Sequence, residues 1–156
     1  MFQVTRRADY AVRILLDLAE QPDGEWVPTP GIARRMLIPP QFLHKITADL
    51  VKAGLVCTFP GPTGGLALAR PAHTINLLQV LEAIDGPVCL NVCLLRPQEC
   101  PRDRICPAHT FWGRLQASIM LQLRAATLDV LVFEAHALRE RRPQLRSIFP
   151  EGVNVR

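Results

Sequence analysis

Four of the five cysteines, Cys89, Cys93, Cys100 and Cys106, fall within eighteen residues. With the histidine that follows, three of them read Cys93-x6-Cys100-x5-Cys106-x2-His109. Thiolate and imidazole suit zinc and iron–sulfur clusters. The spacing is not a pair of Cys-x2-Cys knuckles, so it is not the ordinary structural zinc site. In a chain with no secretory signal such a cluster favours metal or redox chemistry over structural disulfides. A loop that wraps a metal through widely spaced ligands couples its own folding to occupancy. The competing readings are a zinc site and a set of plain thiols. Cys57 stands alone in a predicted strand and reads as a small buried hydrophobe.

A second group of residues could read nucleic acid. On a helix predicted over 40–53, Gln41, His44, Lys45 and either Thr47 or Ala48 fall on the exposed face. Glutamine pairs with adenine, while lysine and histidine meet guanine or phosphate. Arg6, Arg7, Arg34 and Arg35 are candidate phosphate contacts, and Thr29 opens the preceding helix. Gly61, Gly64 and Gly65 offer backbone amides that can lie close to phosphates, with Thr63 between them. Net charge is +4 and the pI about 9.1. Residues 1–70 hold eight Lys/Arg against six Asp/Glu, so the motifs carry this reading more than bulk charge does.

These residues need elements to position them. Thr5 caps a helix predicted over 6–20, whose Ala11, Ile14, Leu15 and Leu18 form one apolar stripe. Thr29-Pro30 opens a short helix, and Pro39-Pro40 ends it and starts the next. Gly54 closes that second helix as the residue after its C-cap. Leu55 to Phe59 and Leu66 to Ala69 read as strands around a Pro-Gly-rich turn. A helix-turn-helix followed by a hairpin is a winged helix. Asn76 with Gln79 reads as a capping box for a helix over 77–85, ended by Gly86-Pro87. Trp112, Leu115, Ile119, Leu123, Ala126, Val130 and Phe133 recur at helical spacing, and Met120, Leu121, Leu128 and Leu131 widen the face. They predict one long helix over 110–137 that needs cover on more than one side, supplied by the same helix of a second copy.

The expected fold is therefore mainly α with a small β-hairpin. Its parts are a winged helix-turn-helix over 1–72, a connecting helix over 73–87, a cysteine loop over 88–109, a dimerisation helix over 110–137 and a frayed tail over 138–156. No run of about 18 apolar residues predicts a membrane span, and the N-terminus lacks a signal-peptide pattern. The expectation is a cytoplasmic homodimer on double-stranded DNA. No nucleotide-binding glycine loop, nucleophile elbow or paired-carboxylate signature suggests an enzyme.

The chain resembles the Rrf-two family of bacterial winged-helix transcription regulators over about residues 1–135. The matching pieces are Val4 to Arg13, Ala53-Gly54-Leu55-Val56, Gly61-Pro62-Thr63-Gly64-Gly65, Cys100-Pro101, Cys106-Pro107-Ala108-His109 and Trp112, with Ala126 to Leu131 looking like the end of the family's long helix. The resemblance implies a regulator, in the repressor sense, that senses iron–sulfur status, redox state or nitric oxide. It implies a two-iron or four-iron cluster held by Cys93, Cys100 and Cys106. In the IscR-like pattern the fourth ligand falls on His109; in the NsrR-like pattern it falls on Asp9 of the other subunit. Relatives often carry an arginine just before the wing glycine. Pro60 stands there, which moves the expected base reading from the wing to the helix.

Overall fold

The computed structural model describes residues 3–22, 24–61, 64–102 and 105–145. The described elements are α1 (Arg6–Ala19), β1 (Val27–Pro28), α2 (Thr29–Arg35), α3 (Pro40–Lys52), β2 (Val56–Phe59), β3 (Gly65–Leu68), α4 (Leu77–Asp85), α5 (Val92–Leu95), α6 (Pro107–Ala125) and α7 (Leu128–Leu145). Two 3-10 turns, Ala72–Thr74 and Pro97–Glu99, link them.

Helix α1 is the post around which the fold is built. The Thr5 hydroxyl accepts the Ala8 amide at 3.1 Å and caps its start. Ala8, Ala11, Ile14, Leu15 and Leu18 are buried along one face. They join Ile32 and Ala33 of α2, Leu43, Ile46 and Leu50 of α3, and Leu78, Val80, Leu81 and Ile84 of α4 in one core. The Asn76–Gln79 capping box is present, with both bonds at 3.1 Å.

The hairpin strands are antiparallel, with Val56 opposite Leu68 and Phe59 opposite Gly65. Strand β1 adds a third strand on the other edge, pairing Val27 with Leu66. The expected strand start at Leu55 moves to Val56, because the Leu55 amide bonds the Leu50 carbonyl and completes the end of α3.

The single long helix expected over 110–137 is two helices. Ala126 leaves helical geometry at ψ 79°. The chain then bridges back on residues 75–77: the Leu77 amide bonds Ala126 and the Leu128 amide bonds Ile75. The bend buries Leu128 completely in the N-terminal core. Burial of a leucine, about 2 kcal/mol, together with the two bridge bonds that replace helical ones, offsets the break. Helix α7 then runs beside α1, and Arg139 pairs with Glu20 at 2.6 Å. That tie carries α7 into the stretch expected to be a frayed tail, as far as Leu145. Residues 146–156 lie outside the described residues. No described helix is long and apolar enough to cross a membrane.

Candidate functional site

The helix-turn-helix is set by α1. The Tyr10 ring meets Phe42 of α3 edge-on at 5.4 Å. Arg7 pairs with Asp49 of α3 at 2.5 Å. Arg35 of α2 grips the nearly buried Asp17 of α1 through two bonds, Nε to Oδ1 at 2.8 Å and Nη2 to Oδ2 at 2.6 Å. That bond to Asp17 holds the Arg35 guanidinium pKa above its usual range. Two of the four arginines expected to meet phosphate therefore already neutralise carboxylates inside the fold. Arg6 and Arg34 are exposed.

On α3, Gln41, His44, Lys45 and Ala48 are exposed. Gln41, His44 and Lys45 make this face a polar edge that can enter a major groove. Thr47 does not join them. It is buried with Ile46 and Leu50, and its hydroxyl has no partner. One residue of helix rotation separates it from Ala48, finer than an apolar pattern resolves. Thr29 is half-buried and is the first residue of α2 rather than its cap; Pro28 precedes it without a side-chain cap.

The wing turn depends on glycine at two adjacent positions. A Cβ on Gly64 would run into the Phe59 carbonyl, and one on Gly65 into the Val27 carbonyl of the neighbouring strand. The Gly64 amide already bonds the Gly61 carbonyl at 2.9 Å. The turn consumes this amide, which had been a candidate for phosphate. Gly61 and Pro60 are exposed. Thr63 lies outside the described residues. Trp26 and Phe59 pack 6.1 Å apart on opposite sides of the middle strand. Periodicity gives no sign of this pair, because Trp26, just before β1, and Phe59, at the end of β2, come together only when both flank β3.

The cysteine loop leaves α4 at Asp85 and returns at α6. At its root the Thr5 hydroxyl donates to the Asp85 carboxylate at 2.8 Å. The side chain of Gln116 on α6 accepts the Leu90 amide at 3.0 Å. Cys93 lies in α5, Cys100 ends the second 3-10 turn, Cys106 is the residue before α6, and His109 is in its first turn. All of these cysteines, and Cys89, are half-buried. Cys89 donates to the Asn91 carbonyl at 2.9 Å. Cys57 is half-buried in β2, its sulfur 3.6 Å from the Ala67 carbonyl. Among the described residues no three of these donors are gathered as a metal shell. Asp9 pairs with Arg13 one helical turn along at 2.6 Å.

The chain matches the family model described as "Rrf2: Iron-dependent Transcriptional regulator" over residues 4–134. It is 32% identical over 136 residues to the HTH-type transcriptional regulator IscR of Vibrio parahaemolyticus, covering 87% of this chain and 80% of that one. Its fold is similar to CymR, the global cysteine regulator of B. subtilis, with a TM-score of 0.73 at 21% identity over 86% of this chain and 98% of that one. It is also similar to IscR of T. potens, with a TM-score of 0.68 at 25% identity over 85% and 88%. With a family match that spans most of the chain and this identity to IscR, the winged-helix chain belongs to the Rrf2 family of transcriptional regulators.

Proposed function

We propose that the chain works in the cytoplasm as a homodimeric repressor whose grip on double-stranded DNA is set by an iron–sulfur cluster on the loop between α4 and α6. The observation that carries this reading is the order of parts in one chain. A winged helix with Gln41, His44 and Lys45 exposed is followed by three half-buried cysteines, and then by an apolar helix with no buried residue. Phe111, Trp112, Leu115 and Leu121 of α6 stay exposed, and a second copy of the same helix is the natural cover.

Cys93, Cys100 and Cys106 would hold the cluster, with His109 or Asp9 as the fourth ligand. Three sulfurs on one loop are donors of the right kind. In the described conformation they are not gathered, so the loop between α5 and α6 has to rearrange to bring them together. A bound cluster supplies sensitivity to oxidants, nitric oxide and iron supply. The chain supplies the rest. The Thr5–Asp85 bond fixes the loop root to the start of α1, and Arg7–Asp49 fixes α1 to α3 two residues further on. A loop conformation that moves its root thereby biases how two recognition helices are spaced across a dimer, which must match half-sites about one helical turn apart.

Anaerobic purification tests this. The expected protein is brown, with visible absorption, iron and acid-labile sulfide. Changing Cys93, Cys100 and Cys106 together to Ala removes the colour and alters DNA affinity, while dimers persist. The separate changes His109→Ala and Asp9→Ala identify the fourth ligand by which one bleaches the chromophore. A second reading keeps the DNA-binding dimer but uses zinc or plain thiols as the sensor. The ungathered donors favour the plain-thiol form of it, and a colourless protein after anaerobic reconstitution with iron and sulfide would put this second reading in place of the cluster.

A further inference from the structure

Both helices of the helix-turn-helix end in the same motif. At the end of α3 the Gly54 amide bonds the Val51 carbonyl and the Leu55 amide bonds the Leu50 carbonyl. Gly54 takes φ +67°, the left-handed turn that this motif requires. At the end of α2 the Ile38 amide bonds the Ala33 carbonyl at 2.9 Å in the same way. Here the left-handed residue is Leu37, at φ +53°, the one non-glycine residue with positive φ among those described. Glycine would adopt this turn without strain; leucine does not.

The side chain gains nothing from the fold in return. Leu37 is 80% exposed, more than any other exposed large hydrophobic described. Its backbone is nevertheless held on both sides. Ile38 is buried in the core, Arg13 donates to the Met36 carbonyl at 3.4 Å, and Pro39-Pro40 stiffens the entry to α3. A strained, immobilised and exposed leucine costs the monomer both ways, and such outliers collect where a ligand is met. What lies next along the chain is the exposed edge of α3, beginning at Gln41.

We infer that Leu37 is a specificity-determining residue that packs on the 5-methyl group of a thymine at the edge of the half-site. Thymine is the base that presents an apolar group in the major groove. The inference rests on the DNA-binding reading above and is independent of the cluster.

The test starts by selecting duplexes from a randomised 40-base-pair pool with the anaerobically purified protein. Each thymine of the winning duplex is then replaced in turn by uracil, which lacks only that methyl. The wild-type protein is expected to lose affinity about fourfold at one thymine per half-site, the effect of unburying one methyl. Leu37→Ala keeps the backbone turn and is expected to bind the thymine and uracil duplexes equally. Leu37→Gly is expected to lose the same discrimination while its thermal midpoint rises by about 2–4 °C as the strain goes. The salt dependence of binding stays unchanged in both variants, since no phosphate contact is lost. If wild type and Leu37→Ala respond alike to every uracil, the inference is wrong although the DNA-binding reading stands. If both bind alike but Leu37→Ala loses repression in a purified transcription assay, Leu37 meets a protein instead, and the inference is equally wrong. A wild-type protein that enriches no sequence overturns both.

Discussion

Residues 5–85 and residues 87–125 are held together in different ways. The first stretch buries apolar side chains from every helix in it, and it closes its internal charges: Asp17 on Arg35, Asp49 on Arg7. In the second, Val88 is the one buried residue among those described, and α6 has none. The first takes one fully buried side chain from outside itself, Leu128 at the start of α7. The second presents Phe111, Trp112 and Leu121 to solvent beside its cysteines. Met120 and Leu123 of α6 lean on the core, but the rest of so apolar a face would gain stability from further cover. The difference separates the well-packed winged helix from the part that the proposed dimer contact and the proposed cluster would complete.

The sharpest way to break the comparison is to remove matched apolar groups from the two parts. Ile14→Ala, in the core on α1, is expected to cost about 2–5 kcal/mol in urea unfolding, through lost burial and the cavity left behind. Leu121→Ala, exposed on α6, is expected to change monomer stability by less than about 0.5 kcal/mol. Leu121→Asp should then shift the dimer to monomer in analytical ultracentrifugation with the fold intact by circular dichroism. A Leu121→Asp protein that stays dimeric would show that α6 is not the interface.

A smaller effect tests the internal charges. Arg35→Ala leaves the Asp17 carboxylate buried with its two bonds gone and is expected to cost about 1–3 kcal/mol, the penalty of an unpaired buried acceptor. Arg35→Lys keeps a charge but not the fork that reaches both oxygens, so it should recover only part of that loss. If Arg35 instead serves the DNA, the alanine variant would unfold like wild type and lose one unit of salt dependence in binding.

The same contrast explains what was legible in the sequence. Local signals decided the first part. Thr5 caps α1, Asn76 and Gln79 box the start of α4, and Gly54 ends α3, because each needs only neighbours within four residues. Asp49 lies 42 residues from Arg7, and Asp17 lies 18 from Arg35. No periodicity reports such pairs, so both arginines read as phosphate contacts. Apolar spacing ran unbroken from Trp112 to Phe133 and concealed the bend at Ala126. One signal was present: Thr127 is a poor interior helix residue and a good first one, and Asp129 follows it in the acidic place of a first turn. The cysteine trio was legible as chemistry and not as geometry, since loop conformation follows what the loop holds.

The smallest effect lies at that bend, where α7 turns back from the second part onto the first. The Thr127 hydroxyl donates to the Asp129 carboxylate at 2.5 Å. This bond, more than the nearby His73, holds the Asp129 carboxyl below the usual carboxylate range. A depressed folded pKa contributes stability above the unfolded value, and that contribution is lost as pH falls through the folded one. Asp129 is exposed, so the consequence is read by titration and not by unfolding. In a carbon-detected NMR titration, Thr127→Val is expected to move the Asp129 midpoint up toward the ordinary value, while Thr127→Ser leaves it depressed. Equal midpoints in the valine and serine variants would mean that the hydroxyl does not hold the carboxylate. The bend would then rest on buried Leu128 and the backbone bridge between residues 75–77 and 126–128 alone.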